Sequence, residues 1–285
     1  MKFKPAKKEF GVNDLPLTRK AQFLDFFKTR PMLFLEIGGL LLLLFIPFLI
    51  AFLFKYYAVL LPAQKALSEA EFLSFYKTNC LVFDVIYCLC FLFVFIGLSG
   101  IGRIIRQWAW GNGIYFWHDF VKGVKQNIKA YLLFWLLFCL FYFVSNLLTL
   151  TMGNFFTQYI FAGVALLLFP VLMMAMCQSL IYSNKVFKLF GNSFSYCLKK
   201  PLFTLLFLLF PYGILCLSFI DMIMVLFLVY VLLILIVFPL YIVSWHLYCL
   251  SLFDSFTNKE YYSNLYKKGL REEFIKENEE PVSNK

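Results

Sequence analysis

The stretch MLFLEIGGLLLLLFIPFLIAFLF, residues 32–54, decides what kind of molecule this is. It runs for 23 residues with a single ionisable side chain, Glu36. A helix needs about 20 apolar residues to cross the hydrocarbon of a bilayer. A second run, MIMVLFLVYVLLILIVFPLYIVSW at 222–245, carries no ionisable side chain apart from its tyrosines. The rest of the chain is of the same kind. Of 285 residues, 62% are hydrophobic and 15% charged, where soluble domains are about half apolar and a quarter charged. The chain therefore reads as an all-α integral membrane protein, a polytopic transmembrane helical bundle. Its 38 phenylalanines dominate the aromatic content and carry no functional weight by themselves.

Six spans can be drawn, at 32–54, 80–102, 131–151, 155–182, 202–220 and 222–250. A basic N-terminal segment, 1–31, precedes the membrane domain 32–250, and a charged tail, 251–285, follows it. The connecting segments test this count. Of 26 Lys and Arg, 23 fall on one side, in 1–31, 103–130, 183–201 and 251–285. The other side has only Lys55, Lys65 and Lys77. Basic residues accumulate on the cytoplasmic side of short loops, so both termini are expected in the cytoplasm, in a multi-pass plasma-membrane protein built as three helical hairpins. The first apolar run is too long, and too far from the start, for a cleavable signal. The net charge of +10 lies between spans, which points to anionic lipid headgroups and not to nucleic acid.

The segments before the three outward spans share a texture. They read FLDFFKTRPMLFLEIGGLLLLL, FVKGVKQNIKAYLLFWLLF and SFSYCLKKPLFTLLFLLF, and Pro31, Ile128 and Pro201 align. Each fits an interfacial amphipathic helix that turns upward into a span, with Pro in the first helical turn where its missing N–H costs nothing. A weak threefold repeat and ordinary basic juxtamembrane segments both account for this. In the outer loop 55–79, Ser68 and Glu71 fit a capping box for a short surface helix through Tyr76. The tail carries six basic and six acidic residues beyond Asp254 and is expected to be a solvated helix.

Ionisable groups inside spans are candidates for function, because charge in hydrocarbon costs several kcal/mol. Four occur: Glu36, Asp84, Asp221 and His246. None falls at mid-span, where a coupled transporter usually places its ligands. Glu36 has a cytoplasmic-side Arg such as Arg103 or Arg106 within its reach. Pro47, Pro170, Pro211 and Pro239 interrupt spans, and each frees a backbone carbonyl. Ser145, Asn146, Gln178, Ser179 and Tyr212 suit hydrogen bonds between helices, with Asn146 the choice for an outward-facing cavity. Eight cysteines lie in or beside apolar runs without a C-x-x-C or a companion His, and read as packing residues. Nucleophile-elbow, H-E-x-x-H and P-loop patterns are missing. GLSGIG at 97–102 ends a span, follows no strand, and suits close helix approach instead of a dinucleotide. No catalytic residue, cofactor or metal is expected.

The stretch IIRQWAWGNGIYFWHDFVKGVKQN, 104–127, reads as an inner-leaflet belt. Trp108, Trp110 and Trp117 suit headgroup depth. Arg103 and Arg106 lay their stems along lipid with their heads toward phosphate. Gly111-Asn112-Gly113 reverses the chain, and Asp119 caps or pairs with the Lys-bearing segment that follows.

Three stretches, GVNDLPLTRKAQFLDFFKTRPMLFLEIGGLLLLLFIPF, GRIIRQWAWGNGIYFWHDFVKGVKQNIKAYLL and SNKVFKLFGNSFSYCLKKPLFTLLFLLFPY, resemble the YesL-like family of bacterial membrane proteins. The family has a basic stretch leaving the second span, a short turn, an aromatic-Asp-Phe element and a Lys-x-Asn near the third span. Here these are Arg103 and Arg106, then Trp117, Asp119 and Phe120, then Lys125 and Asn127. The family often has an acidic residue in the turn, where this chain has Asn112. The resemblance implies a six-span helical membrane protein, commonly from Gram-positive lineages, with no known reaction. Some members occur near carbohydrate-uptake genes. The expected function is non-enzymatic, an accessory or assembly partner of a membrane system such as solute transport. A transporter or channel for a small solute is the alternative, and an enzyme acting on lipids at the inner interface ranks third. The positions singled out are Glu36, Asp84, Arg103, Arg106, Asp119, Asn127 and Asn146.

Overall fold

Along the opening stretch, Leu33, Ile37, Leu40, Leu41, Phe45 and Leu49 are buried at helical spacing, while Leu35, Leu43, Ile46 and Ile50 are exposed. Both faces of this helix are apolar, so hydrophobicity alone does not choose the inward one. A computed structural model, which describes residues 15–60, 68–152, 155–215 and 222–271, shows what does. The helices are α1 (Arg19–Thr29), α2 (Pro31–Lys55), α3 (Glu69–Ala109), α4 (Phe116–Met152), α5 (Phe155–Ile181), α6 (Val186–Lys199), α7 (Pro201–Leu215), α8 (Ile223–Leu232) and α9 (Phe238–Phe253). Wider π turns follow α2, join α8 to α9, and follow α9 at Asp254–Asn258. No strand occurs among the described residues.

Four stretches among the described residues are long and apolar enough to cross a membrane: Pro31–Val59, Ser74–Ala109, Phe116–Thr151 and Ile223–Tyr261. The expected spans at 155–182 and 202–220 fall on α5 and α7, the second of which is described to Leu215. Asp221, Cys216 and the side chains of Pro211 and Tyr212 lie outside the described residues.

The basic segments behave differently before the three runs expected to cross outward. Arg30 and Lys200 leave the helical region at nearly the same angles, φ −138, ψ 48 and φ −136, ψ 66. Each precedes a proline, which disfavours the α conformation in the residue before it. Ile128 has no such neighbour, and α4 runs unbroken through it for 37 residues. The surface helix expected after Ser68 likewise continues into the second span. Together they make the 41 residues of α3, about 60 Å long, twice the hydrocarbon thickness. Ser68 is its N-cap, but its hydroxyl bonds the Glu71 carboxylate at 2.7 Å instead of a backbone N–H.

Small residues set the closest contacts. A Cβ on Gly123 of α4 would sit 2.9 Å from Gly100 Cα and 3.0 Å from Ser99 O, so α3 and α4 touch backbone to backbone at GLSGIG. On α2, a Cβ at Gly38 would collide with the Leu235 carbonyl oxygen, and Pro239 lies beside it. Pro239 has no N–H to give residue 235. The freed carbonyl turns into the notch that Gly38 leaves, and the π turn Leu233–Val237 absorbs the change in winding. Around these contacts Ile37, Leu41, Ile101, Ile104, Ile105 and Phe134 are fully buried. Phe45 packs edge-on to Phe238 at 5.6 Å, and Phe48, Phe91 and Phe138 extend the seam across α2, α3 and α4.

Seven of the cysteines are described; all are free, and Cys197 alone is not fully buried. Cys88 and Cys139 face one another across α3 and α4, each within 4 Å of the other's carbonyl oxygen.

The described part of the tail is not a solvated helix. Past Lys259–Tyr261 it folds back as turns over 263–269. The Arg271 N–H reaches the Pro16 carbonyl at 3.3 Å.

Candidate functional site

Among the described residues, ion pairs mark three polar places in the bundle. Buried charges are tolerable only when paired and hydrogen-bonded.

The first lies on the side away from the basic segments. Asp84 of α3 is buried. Its carboxylate accepts a hydrogen bond from the Tyr142 hydroxyl at 3.2 Å and lies 3.9 Å from Lys55 Nζ. Asn146, one turn beyond Tyr142 on α4, stands beside the same carboxylate. The Lys55 ammonium also stands over the Tyr87 ring, 5.3 Å from its centre. Asp84 and Asn146, singled out separately in the sequence, thus meet across α3 and α4. Lys55 comes from the end of α2, so three helices join here.

The second place is the Arg103 and Arg106 stretch at the basic end of α3. Neither arginine lies along lipid as the belt reading expects. Arg103 is buried, with Nε 3.5 Å from Asp119 Oδ1 and Nη1 donating to Gln126 at 2.7 Å. Asp119 Oδ2 accepts from the Tyr115 N–H at 2.9 Å and so caps α4. Arg106 donates to the Leu180 carbonyl of α5 and stacks on Trp110 at 4.9 Å. The reason is packing. The Gly100–Gly123 contact brings α3 and α4 too close for the Arg103 stem to turn outward. Asn127 bonds back to Gly123 O on its own helix; Gln126, which nothing in the sequence marks, reaches Arg103.

Of the three tryptophans, Trp117 is exposed, whereas Trp108 is buried against Phe26 at 4.7 Å. Trp110 is held between Arg106 and Lys268, whose Nζ stands 4.6 Å from the ring centre. His118 is exposed. Glu36 pairs with neither Arg103 nor Arg106. It is exposed, on the wall of a cleft of about 460 Å³ with Arg30, Ile114 and Tyr115.

The third place was not visible in the sequence. Arg19, the first residue of α1, is buried and gripped on all sides. Its Nε and Nη2 reach Asp254 Oδ2 at 3.2 and 2.9 Å. Nη1 donates to Gln22 and to the Ala109 carbonyl, and Nη2 also donates to the Lys268 carbonyl. Asp254 Oδ1 takes the Asn258 amide at 2.9 Å and the Lys267 N–H at 3.2 Å. Gln22 closes the ring onto Ala109 O at 2.7 Å. One network thus ties the first helix, the exit of α3 and the end of α9.

His246 of α9 is buried, with Nδ1 3.5 Å from Cys177 Sγ of α5. No group of three or more metal-ligating side chains converges among the described residues. Gln178 of α5 bonds Ser193 of α6 at 2.7 Å, one of the cross-helix contacts expected from its position.

No family model, curated protein or solved structure matches this chain.

Proposed function

We propose that this is a six-span plasma-membrane protein of the YesL-like type, with both termini in the cytoplasm, that works as a non-enzymatic accessory or assembly partner of a membrane system such as solute transport. The spans are those at 32–54, 80–102, 131–151, 155–182, 202–220 and 222–250. The 23-to-3 partition of Lys and Arg supports that count and orientation.

The observation that carries the reading is the Arg19–Asp254 network. Buried charge costs stability unless its partners are fixed, and here it fixes three distant chain segments into one rim at the basic end. A transporter needs loosely held ligand groups beside a path, whereas an accessory protein needs a rigid face. Arg103 is committed to Asp119 and Arg19 to Asp254, while Leu24, Tyr115 and Trp117 stand exposed. Affinity purification of the tagged full-length protein in mild detergent tests this. A single membrane-protein partner at near-stoichiometric yield is expected, lost on Tyr115→Ala with Trp117→Ala. Repeated purification without such a partner would sink the idea.

A transporter or channel is the second reading, favoured by the Asp84, Lys55, Tyr142 and Asn146 cluster. Solute flux into proteoliposomes that disappears with Asp84→Asn would establish it. Absence of flux for sugars, amino acids and ions would remove it.

A further inference from the structure

Helix α6 has three faces. Leu189, Ser193 and Tyr196 are buried toward the bundle. Phe187, Phe194 and Leu198 are exposed, Phe187 by 87%, as suits a helix lying in the headgroup boundary. Lys188, Asn192, Ser195 and Lys199, spaced by four, three and four residues, form the third face and line a cleft of about 390 Å³. Its opposite wall is the chain after α9, at Thr257, Tyr261 and Tyr262.

The walls are fixed. The Tyr196 hydroxyl bonds Thr257, and Tyr182 donates to Asn258 at 2.6 Å. Burial raises the pKa of Tyr196, which keeps its hydroxyl neutral. Lys199 Nζ stands over Phe256, 4.3 Å from the ring centre, so its charge is held at the cleft instead of drifting into water. No carboxylate lines the cleft; the nearest in sequence, Glu260, is exposed.

Gln178 supplies an independent pointer to a ligand. It lies at the cleft, fully buried, with its amide nitrogen on Ser193, while its Oε1 has no hydrogen-bond partner among the described residues. Buried acceptors are rarely left in that state unless something else donates to them. A ligand that satisfies this cleft needs a negative group for the lysines and a donor for Gln178, and a hydroxyl donates without bringing a positive charge beside Lys188 and Lys199.

We propose that the cleft between α6 and the segment after α9 binds a glycerophosphate group, a phosphate joined to a hydroxyl-bearing arm. Such a group reaches the inner interface from two sources, a phosphoglycerol lipid headgroup or a soluble glycerol phosphate. The proposal goes beyond the accessory reading, and the binding is measured without any protein partner, so each stands or falls separately.

The test titrates the purified full-length protein in a neutral detergent and follows thermal unfolding by tryptophan fluorescence. The probes are dioctanoyl phosphatidylglycerol, dioctanoyl phosphatidylcholine, glycerol 3-phosphate and inorganic phosphate. Phosphatidylglycerol is expected to bind at least tenfold more tightly than phosphatidylcholine. Lys188→Gln with Lys199→Gln is expected to abolish that difference. Lys122→Gln with Lys125→Gln, equal in charge but remote from the cleft, should leave it intact. Gln178→Leu should weaken glycerophosphate binding while sparing inorganic phosphate. Glycerol 3-phosphate binding as well as the lipid assigns the soluble source; lipid binding alone assigns the headgroup. Equal binding of the two lipids, or equal loss from both lysine pairs, overturns the proposal. If the cleft lysine pair does not fold, Asn192→Asp places a carboxylate in the same stripe, and unchanged phosphatidylglycerol binding in that variant also overturns it.

Discussion

Arg19 and Asp254 bond to one another, and each also holds neighbours that would be stranded without it. Removing one member of a buried ion pair costs about 3–5 kcal/mol, because the other charge stays buried and unpaired. Arg19→Ala and Asp254→Ala should therefore each lower the unfolding midpoint of the detergent-solubilised protein sharply, and the double variant should lose less than the sum. Strict additivity would mean the pair is not coupled. The pairs at Asp119 and Asp84 differ in a way that ranks them. Arg103 is 8% exposed and has nowhere to turn, whereas Lys55 is 21% exposed and can swing its ammonium outward. Asp119→Ala should thus destabilise more than Asp84→Ala, and the reverse order in the same unfolding assay would refute the ranking. Asp84 and Asn146 were legible in the sequence because polar groups within apolar runs are few, and Arg103 and Asp119 because they sit in the basic, aromatic stretch that follows the second run. Their mutual pairing was not, since a polar side chain near a span end looks alike whether it meets lipid, water or another helix. Arg19 illustrates this: among the basic residues of the N-terminal segment, nothing local separates the one that is buried.

At the scale of elements, adjacent glycines on α2 make opposite predictions. A Cβ at Gly38 meets the Leu235 carbonyl, while one at Gly39 meets nothing within 4 Å. Gly38→Val should cost at least 1–3 kcal/mol by overpacking, as an order of magnitude, and Gly39→Val should be tolerated. Equal midpoints for the two variants would show that α2 does not seat against the Leu233–Val237 turn. The four long apolar helices were readable from hydropathy, and GLSGIG as a close-approach motif from its small residues. Helix ends were less so. Hydropathy marks where a span leaves hydrocarbon, but a helix stops only at a residue that breaks it. Pro31 and Pro201 supply that break, while Ile128 and the stretch through Tyr76 do not, so expected interfacial pieces merge with the spans beside them.

At the scale of the whole molecule, the partition of basic residues makes a prediction that separates six crossings from four. With six, a membrane-impermeant maleimide applied to intact cells should label Ser68→Cys and Thr151→Cys in a background whose eight native cysteines are replaced. Lys188→Cys and Tyr115→Cys should label only after permeabilisation. Labelling of Lys188→Cys from outside would overturn the six-span arrangement. The ion pair that closes the basic end also places the molecule in time. Arg19 and Asp254 are separated by 235 positions, and a ribosome adds about 5–20 residues per second, so roughly 10 to 50 s elapse between their syntheses. During that interval the guanidinium of the first helix lacks its carboxylate and has only Gln22 and, once α3 is made, the Ala109 carbonyl as partners. A chain truncated before its last span never gains the counter-charge, so an unfinished copy differs from a complete one by an unneutralised cation at its first helix.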